Sequence, residues 1–215
     1  MQRLRIRFSR GEEVSLISHL DLMRLWQRAL RRAGIPLAYS EGFNPHPRLS
    51  LAAPLALGIT SEAELMDVFI TKEVSPHFFI NTVGQQLPFG IEIQQVYHIA
   101  KTVPALQSLM RYAEYRVKVE ITESREQITA KLESLLAKKN LPWQHRRDTG
   151  TRNYDLRALI DDLWLVDCQG SSCTIGMRLR CDNNGSGRPE QVSAALGFTS
   201  LPQLIHRIGL ILQTS

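Results

Sequence analysis

The fold class this sequence predicts is α+β: two ferredoxin-like βαββαβ units in tandem, each an antiparallel sheet with helices on one face. Three observations carry that expectation. The chain has 215 residues, a length that suits two compact units of about 100 residues each. Segments of two-residue hydrophobic period alternate with segments striped at helical spacing, in the order β-α-β-β-α-β. After residues 100–110 (AKTVPALQSLM), which read as a linker, the same order begins again. Such an order is that of the split βαβ topology, which leaves one sheet face without helices and free to bind. The expected units are residues 1–100 and 108–215.

In the first unit, Gln2 to Phe8 alternates Leu4, Ile6 and Phe8 with Arg3, Arg5 and Arg7, the pattern of a half-buried strand. A helix follows with full punctuation: Ser18 as N-cap, Asp21 as capping-box acid, Ile17 and Leu22 at staple positions. It runs to about Ala33, with Gly34 as its stop and Pro36 beyond. At 100° per residue Leu22, Leu25, Trp26, Ala29, Leu30 and Ala33 share one side, and Arg24, Arg28, Arg31 and Arg32 the other. Leu49–Leu57 and Glu64–Thr71 read as strands, Ser75–Gln86 as a short helix with Pro76 at its first position, and Ile91–Ile99 as a strand.

In the second unit, Tyr115, Val117, Val119 and Ile121 alternate with polar residues as a strand. Ile128, Leu132, Leu135 and Leu136 stripe a helix ending near Lys139-Asn140. Leu141–Arg147 and Cys173–Cys181 read as strands, Arg188-Pro189-Glu190 opens a short helix that stops at Gly197, and Leu204–Leu212 closes the set as a strand or a helix. Residues 148–168 read as an extra arm, a hairpin or a short helix.

Composition narrows the function class. Hydrophobic residues make up 43% and charged residues 22%, an ordinary soluble balance. No apolar run reaches the roughly 18 residues of a membrane span, and MQRLRIRF lacks the apolar core of a secretory signal. The three cysteines, an odd number, point to a reducing cytoplasm and away from a disulfide framework. The net charge is +5, and residues 1–50 hold nine Lys/Arg against four Asp/Glu. A localised basic region is the footprint of a protein that meets phosphate, or simply a device for solubility.

Two features sharpen the first of these. In SEGFNPHP (Ser40 to Pro47), Pro45 and Pro47 fix their own φ and Gly42 can supply positive φ, so the segment is a pre-bent arch. As a plain connector it would plug the core with Phe43. As a binding element it would present Phe43 and His46 as flat π surfaces beside Arg48, a set suited to unstacked bases. The arginines at 24, 28, 31 and 32 have no interleaved acid at i±4, and the guanidinium fork suits phosphate. A solvated helix face, or a dock for an acidic protein, would use the same stripe. Arg146, Arg147, Arg152, Arg157 and Arg188, with Tyr154 among them, form a second basic set that reads as an interface or a soluble arm.

Catalytic and metal signals are weak. His19 and His46 could act as general acid or base, but no nucleophile–base–acid order or paired carboxylate accompanies them. No residue is assigned a catalytic role. Cys173 and Cys181, about 26 Å apart on an extended strand, cannot share a metal. Cys168 and Cys173 can face each other across the QGSS turn, yet two thiols make at most half a zinc site. No metal or cofactor is expected, and no phosphate-loop motif occurs.

The stretch SHLDLMRLWQRALRRAGIPLAYSEGFNPHPRLSLAAPLALGITSEAELMDV resembles a bacterial domain family linked to radical SAM proteins, with thinner likeness at YDLRALID and GRPEQV. In that family the domain is fused behind a radical SAM module or stands as a separate small protein. The resemblance implies a radical SAM protein as partner and RNA as substrate class, because members are associated with RNA-processing and ribosomal genes. This chain lacks the CxxxCxxC cluster motif, which implies the accessory part of such a system. The expectation is an RNA-binding accessory protein that presents RNA to a separate radical SAM enzyme. The alternatives are a protein–protein adaptor without RNA contact, and a metal-independent RNA-cleaving enzyme.

Overall fold

The alternation of Gln2–Arg10 becomes β1, the strand on which the first half of the molecule is built. The structure, a computed structural model, describes residues 1–147 and 150–213. It divides into two units: Met1–Met110 with the chain end from Gln213, and Arg111–Leu212.

In unit 1, helix α1 (His19–Arg32) follows β1 and starts at the expected N-cap, where Ser18 Oγ accepts the Asp21 amide hydrogen. Strands β2 (Leu49–Leu51) and β3 (Thr60–Ile70), helix α2 (Pro76–Gly84), strand β4 (Ile91–Ile99) and the single turn α3 (Leu106–Leu109) complete it. The sheet order is β4-β1-β3-β2, antiparallel throughout. β2 is shorter than the expected Leu49–Leu57: the Ala52 amide still donates to the Leu65 carbonyl, and beyond it the chain turns away around Pro54 and Gly58. The core forms where Leu4, Ile6 and Phe8 meet Leu22, Trp26 and Leu30 of α1, with Phe79 and Val83 of α2. Trp26 is fully buried and its ring meets Phe8 edge-on at 4.9 Å. Truncating such a residue typically costs about 3–5 kcal/mol.

The opposite side of β1 corrects an expectation. Arg3 and Arg5 do not line a free sheet face; both are buried against Asp67 of β3. Arg5 Nε donates to Asp67 Oδ1 at 2.7 Å and Arg3 Nη2 to Oδ2 at 2.6 Å. Arg3 also donates to the Val103 and Pro104 carbonyls, so the predicted linker lies over this face. A buried carboxylate 0% exposed is stable in ionised form only with such partners, and each guanidinium needs the carboxylate in turn.

Unit 2 contains β5 (Met110–Glu120), which begins at the boundary residue, then α4 (Arg125–Ala137), β6 (Pro142–Arg147), β7 (Gly150–Asp155), β8 (Ile160–Gln169), β9 (Ser172–Asp182), β10 (Gly185–Ser186), α5 (Pro189–Ala195) and β11 (Leu204–Leu212). Its sheet runs β8-β9-β5-β11, with β10 also on β9. Ser124 and Gln127 close a capping box at the start of α4. The sequence assigns Leu141–Arg147 to this sheet and 148–168 to an arm; the structure reverses much of that. Among the described residues strands β6 and β7 pair only with each other, and β8 supplies the sheet strand. The reason is apolar content. PWQHRR offers little to a core, whereas β8 buries Ile160 and Leu163 and lays Trp164 across Gly176 of β9. A Cβ at Gly176 would stand 2.0 Å from Trp164 Cε2, so only glycine fits there.

Cys168 and Cys173 are register partners at the β8–β9 turn and form a disulfide, while Cys181 is a buried thiol. This corrects the reading that set disulfides aside. An odd cysteine count does not exclude one local bridge between residues a tight turn holds face to face.

Candidate nucleic-acid interface

The amphipathic split of α1 decides what its arginines can reach. With Leu22, Trp26, Ala29 and Leu30 buried, Arg24, Arg28, Arg31 and Arg32 are all exposed. Three of them line an open groove of about 880 Å³, with Ser18, Asp21, Leu25, Leu16 and Ile17 on one flank and Gln86, Leu87 and Pro88 on the other. Arg32 closes its far end by donating from Nη2 to the Gln86 carbonyl at 2.8 Å. Arg24 Nη1 donates to Asp21 Oδ1 at 3.1 Å, a pair at i, i+3 and so outside the i±4 spacing. Hydrogen bonds from the Ser18 hydroxyl and then from Arg24 hold the Asp21 carboxyl below its ordinary value. Arg28 makes no hydrogen bond or ion pair among the described residues. Arg31 departs from the groove: its guanidinium lies 6.0 Å over the Tyr39 ring, a residue the sequence reading did not single out.

Tyr39 stands at the root of the SEGFNPHP arch. The arch is a closed arm: the Ser40 amide donates to the His46 carbonyl, the His46 amide to Ser40 Oγ, and the Arg48 amide to the Ala38 carbonyl. Gly42 turns the tip at φ +113°, where a side chain would be strained. Phe43 is not a core plug. Its ring is fully exposed at the tip, at 113% of the reference area. His46 is exposed as well. Arg48 points elsewhere, with its guanidinium 4.4 Å over the Phe69 ring and near Met1 Sδ. Phe43 and His46 are thus both exposed on the arm, and Arg48 lies at its base.

The second basic set lies in unit 2. The side chains of Arg146 and Arg147 fall outside the described residues. Arg157 is spent internally, donating to the Leu136 and Ile160 carbonyls, which corrects its place in a binding set. Arg152 and Arg188 do meet, around a cavity of about 230 Å³ with His145, Tyr154, Arg180 and Gln191. Arg180, His145 and Gln191 were not legible as site residues, since nothing local distinguishes them. Asp182 anchors this wall. Burial raises its pKa, but hydrogen bonds from Arg180 Nε and from the Asn184 and Gly185 amides outweigh that and leave it below the ordinary value.

Among solved structures, the chain is similar in fold to a chain of a Cbf5-Nop10-Gar1 complex, with a TM-score of 0.54 and 7% identity over 95% of this chain and 47% of that one. A chain of an H/ACA RNP bound to a substrate RNA containing 2'-deoxyuridine gives a TM-score of 0.51 at 9% identity, over 95% and 46% of the two chains. This chain thus spans about half the length of those it matches. No curated protein matches it. The profile of a bacterial family, described as "Uncharacterized protein conserved in bacteria (DUF2344)", matches residues 3–189, and the chain belongs to that family.

Proposed function

We propose that the protein binds single-stranded RNA, with the arginine groove of α1 holding backbone phosphates and the Phe43 arm stacking an unpaired base. We further read the chain as two ferredoxin-like units, on their strand orders, and as an accessory protein that presents RNA to a separate radical SAM enzyme. The partner rests on the family resemblance in the sequence.

One observation carries the RNA reading. A phenylalanine ring stands wholly in water on an arm whose backbone hydrogen bonds fix it there. A ring held in this way is free to stack on an unpaired base, and the guanidinium groups of the α1 groove suit a polyanion. Stacking on an aromatic side chain is worth about 1–3 kcal/mol per base and needs no particular sequence. The fold likeness to a chain of an H/ACA RNP bound to a substrate RNA supports the same substrate class.

A protein-only adaptor is favoured by a different feature: Leu16, 77% exposed at the groove wall, and Leu20, 66% exposed on α1. Fluorescence anisotropy with a labelled single-stranded 12-mer RNA and its duplex separates the two. The RNA reading expects the single strand to bind more tightly, because only it can offer an unstacked base. Absence of binding to either, together with enzyme co-purification after nuclease treatment, would transfer the function to the adaptor.

A further inference from the structure

The cavity in unit 2 has the chemistry of a small-ligand site in its own right. It is walled by His145 of β6, Arg152 and Tyr154 of β7, Arg180 of β9, the 184–186 turn, and Arg188 and Gln191 at α5. Neither Arg152 nor Arg188 has a carboxylate partner among the described residues. Arg152 lies 5.9 Å over the Tyr154 ring, and Arg188 Nη1 stands 3.5 Å from His145 Nε2. Two carboxylates, Asp155 of the lining and Asp182 beside it, are already engaged. Asp155 Oδ1 accepts the Leu141 and Arg157 amides, and Asp182 accepts from Arg180 Nε and the turn.

Gln191 supplies the independent observation. It is only 8% exposed, the Tyr154 hydroxyl hydrogen-bonds to its Oε1, and its Nε2 is buried with no acceptor among the described residues. A buried amide donor without an acceptor is uncommon in folded proteins. Here it lines a cavity already surplus in positive charge, so what the site lacks is an acceptor-rich anion.

We propose that this cavity binds a phosphate monoester. Three guanidinium groups and an amide donor converge from separate elements, which suits the three terminal oxygens of a phosphate better than a planar carboxylate. The volume, about 230 Å³, is more than a lone phosphate needs and below the roughly 300–1,000 Å³ of drug-sized ligands. A phosphate on one sugar fits, either as a free nucleoside monophosphate or as the 5′-phosphorylated end of a strand. The proposal does not depend on the RNA reading of unit 1, because a mononucleotide could bind here if that reading failed.

The test is calorimetric titration of the full chain with UMP, with uridine, and with one RNA 12-mer bearing either a 5′-phosphate or a 5′-hydroxyl. UMP should bind and uridine should not. Arg188→Ala, at an exposed position, should weaken UMP at least tenfold, and Gln191→Met, which keeps the volume, several-fold. As a control, Arg116→Ala, an exposed position on β5 away from the cavity lining, should leave UMP unchanged. A preference for the 5′-phosphorylated 12-mer that Arg188→Ala erases assigns the site to a strand end. UMP binding without that preference assigns it to a free nucleotide. Failure of both UMP and the 5′-phosphate to register, or binding indifferent to Arg188→Ala and Gln191→Met, overturns the proposal.

Discussion

Two groups of arginines lie within the first thirty-two residues and have opposite fates. Arg3 and Arg5 on β1 are buried on Asp67, whereas Arg24 and Arg28 on α1 face solvent along a groove. By local pattern both groups read as exposed charged faces. What separates them is Asp67, the register partner of Arg5 across β1 and β3 and 62 residues away in the chain. Arg10 joins the buried group, 1% exposed and bonded to the carbonyls of Val14, Ser15 and Ile17. The comparison teaches that local positive charge is not the same as charge available to a partner. Part of the basic excess is structural, and an interface estimate must subtract it.

The strongest way to break the comparison is to remove the acid. Asp67→Ala leaves two buried guanidinium groups without their carboxylate and should cost about 3–5 kcal/mol in urea denaturation. Arg24→Ala with Arg28→Ala should shift the same curve by no more than about 0.5 kcal/mol. Equal losses from the two would mean the groups are alike after all.

A smaller effect is expected at the arm. Phe43→Ala should weaken single-stranded RNA binding by about 1–3 kcal/mol, roughly 5- to 150-fold, and leave thermal stability unchanged because the ring touches no core. A stability loss without an affinity loss would return Phe43 to a structural role.

The smallest effect sharpens the groove itself. Asp21 holds Arg24, and its carboxyl sits below the ordinary value through the Ser18 hydroxyl and Arg24. A depressed folded value means the contribution to stability is present above the unfolded value and is lost as pH falls through the folded one. Asp21→Asn should therefore be slightly less stable than wild type near neutrality, with the gap closing below about pH 4. The same variant should bind RNA a few-fold more tightly, since it frees Arg24. A gap that persisted in acid would remove the ionised pair from the account.

Much of unit 1 was legible because its signals are local. Ser18, Pro76 and the β1 alternation each fix an element within a few residues. In unit 2 the hidden element was β8, whose place depends on Trp164 finding a glycine across the ladder, a contact without a local signature. The site divided in the same way. The arginine stripe and the Phe43 arch were readable as patterns. Tyr39 under Arg31, the internal use of Arg157, and the meeting of Arg180 and Gln191 with Arg188 depend on tertiary packing.

The central claim is that α1 arginines grip RNA phosphates, and the salt dependence of binding tests it most directly. With single-stranded RNA each neutralised phosphate contributes about −0.7 to the slope of log K against log salt. Removing Arg24 and Arg28 together should flatten that slope by about 1.4. A slope the double variant leaves unchanged would contradict the account, because the phosphates would then be held by other residues.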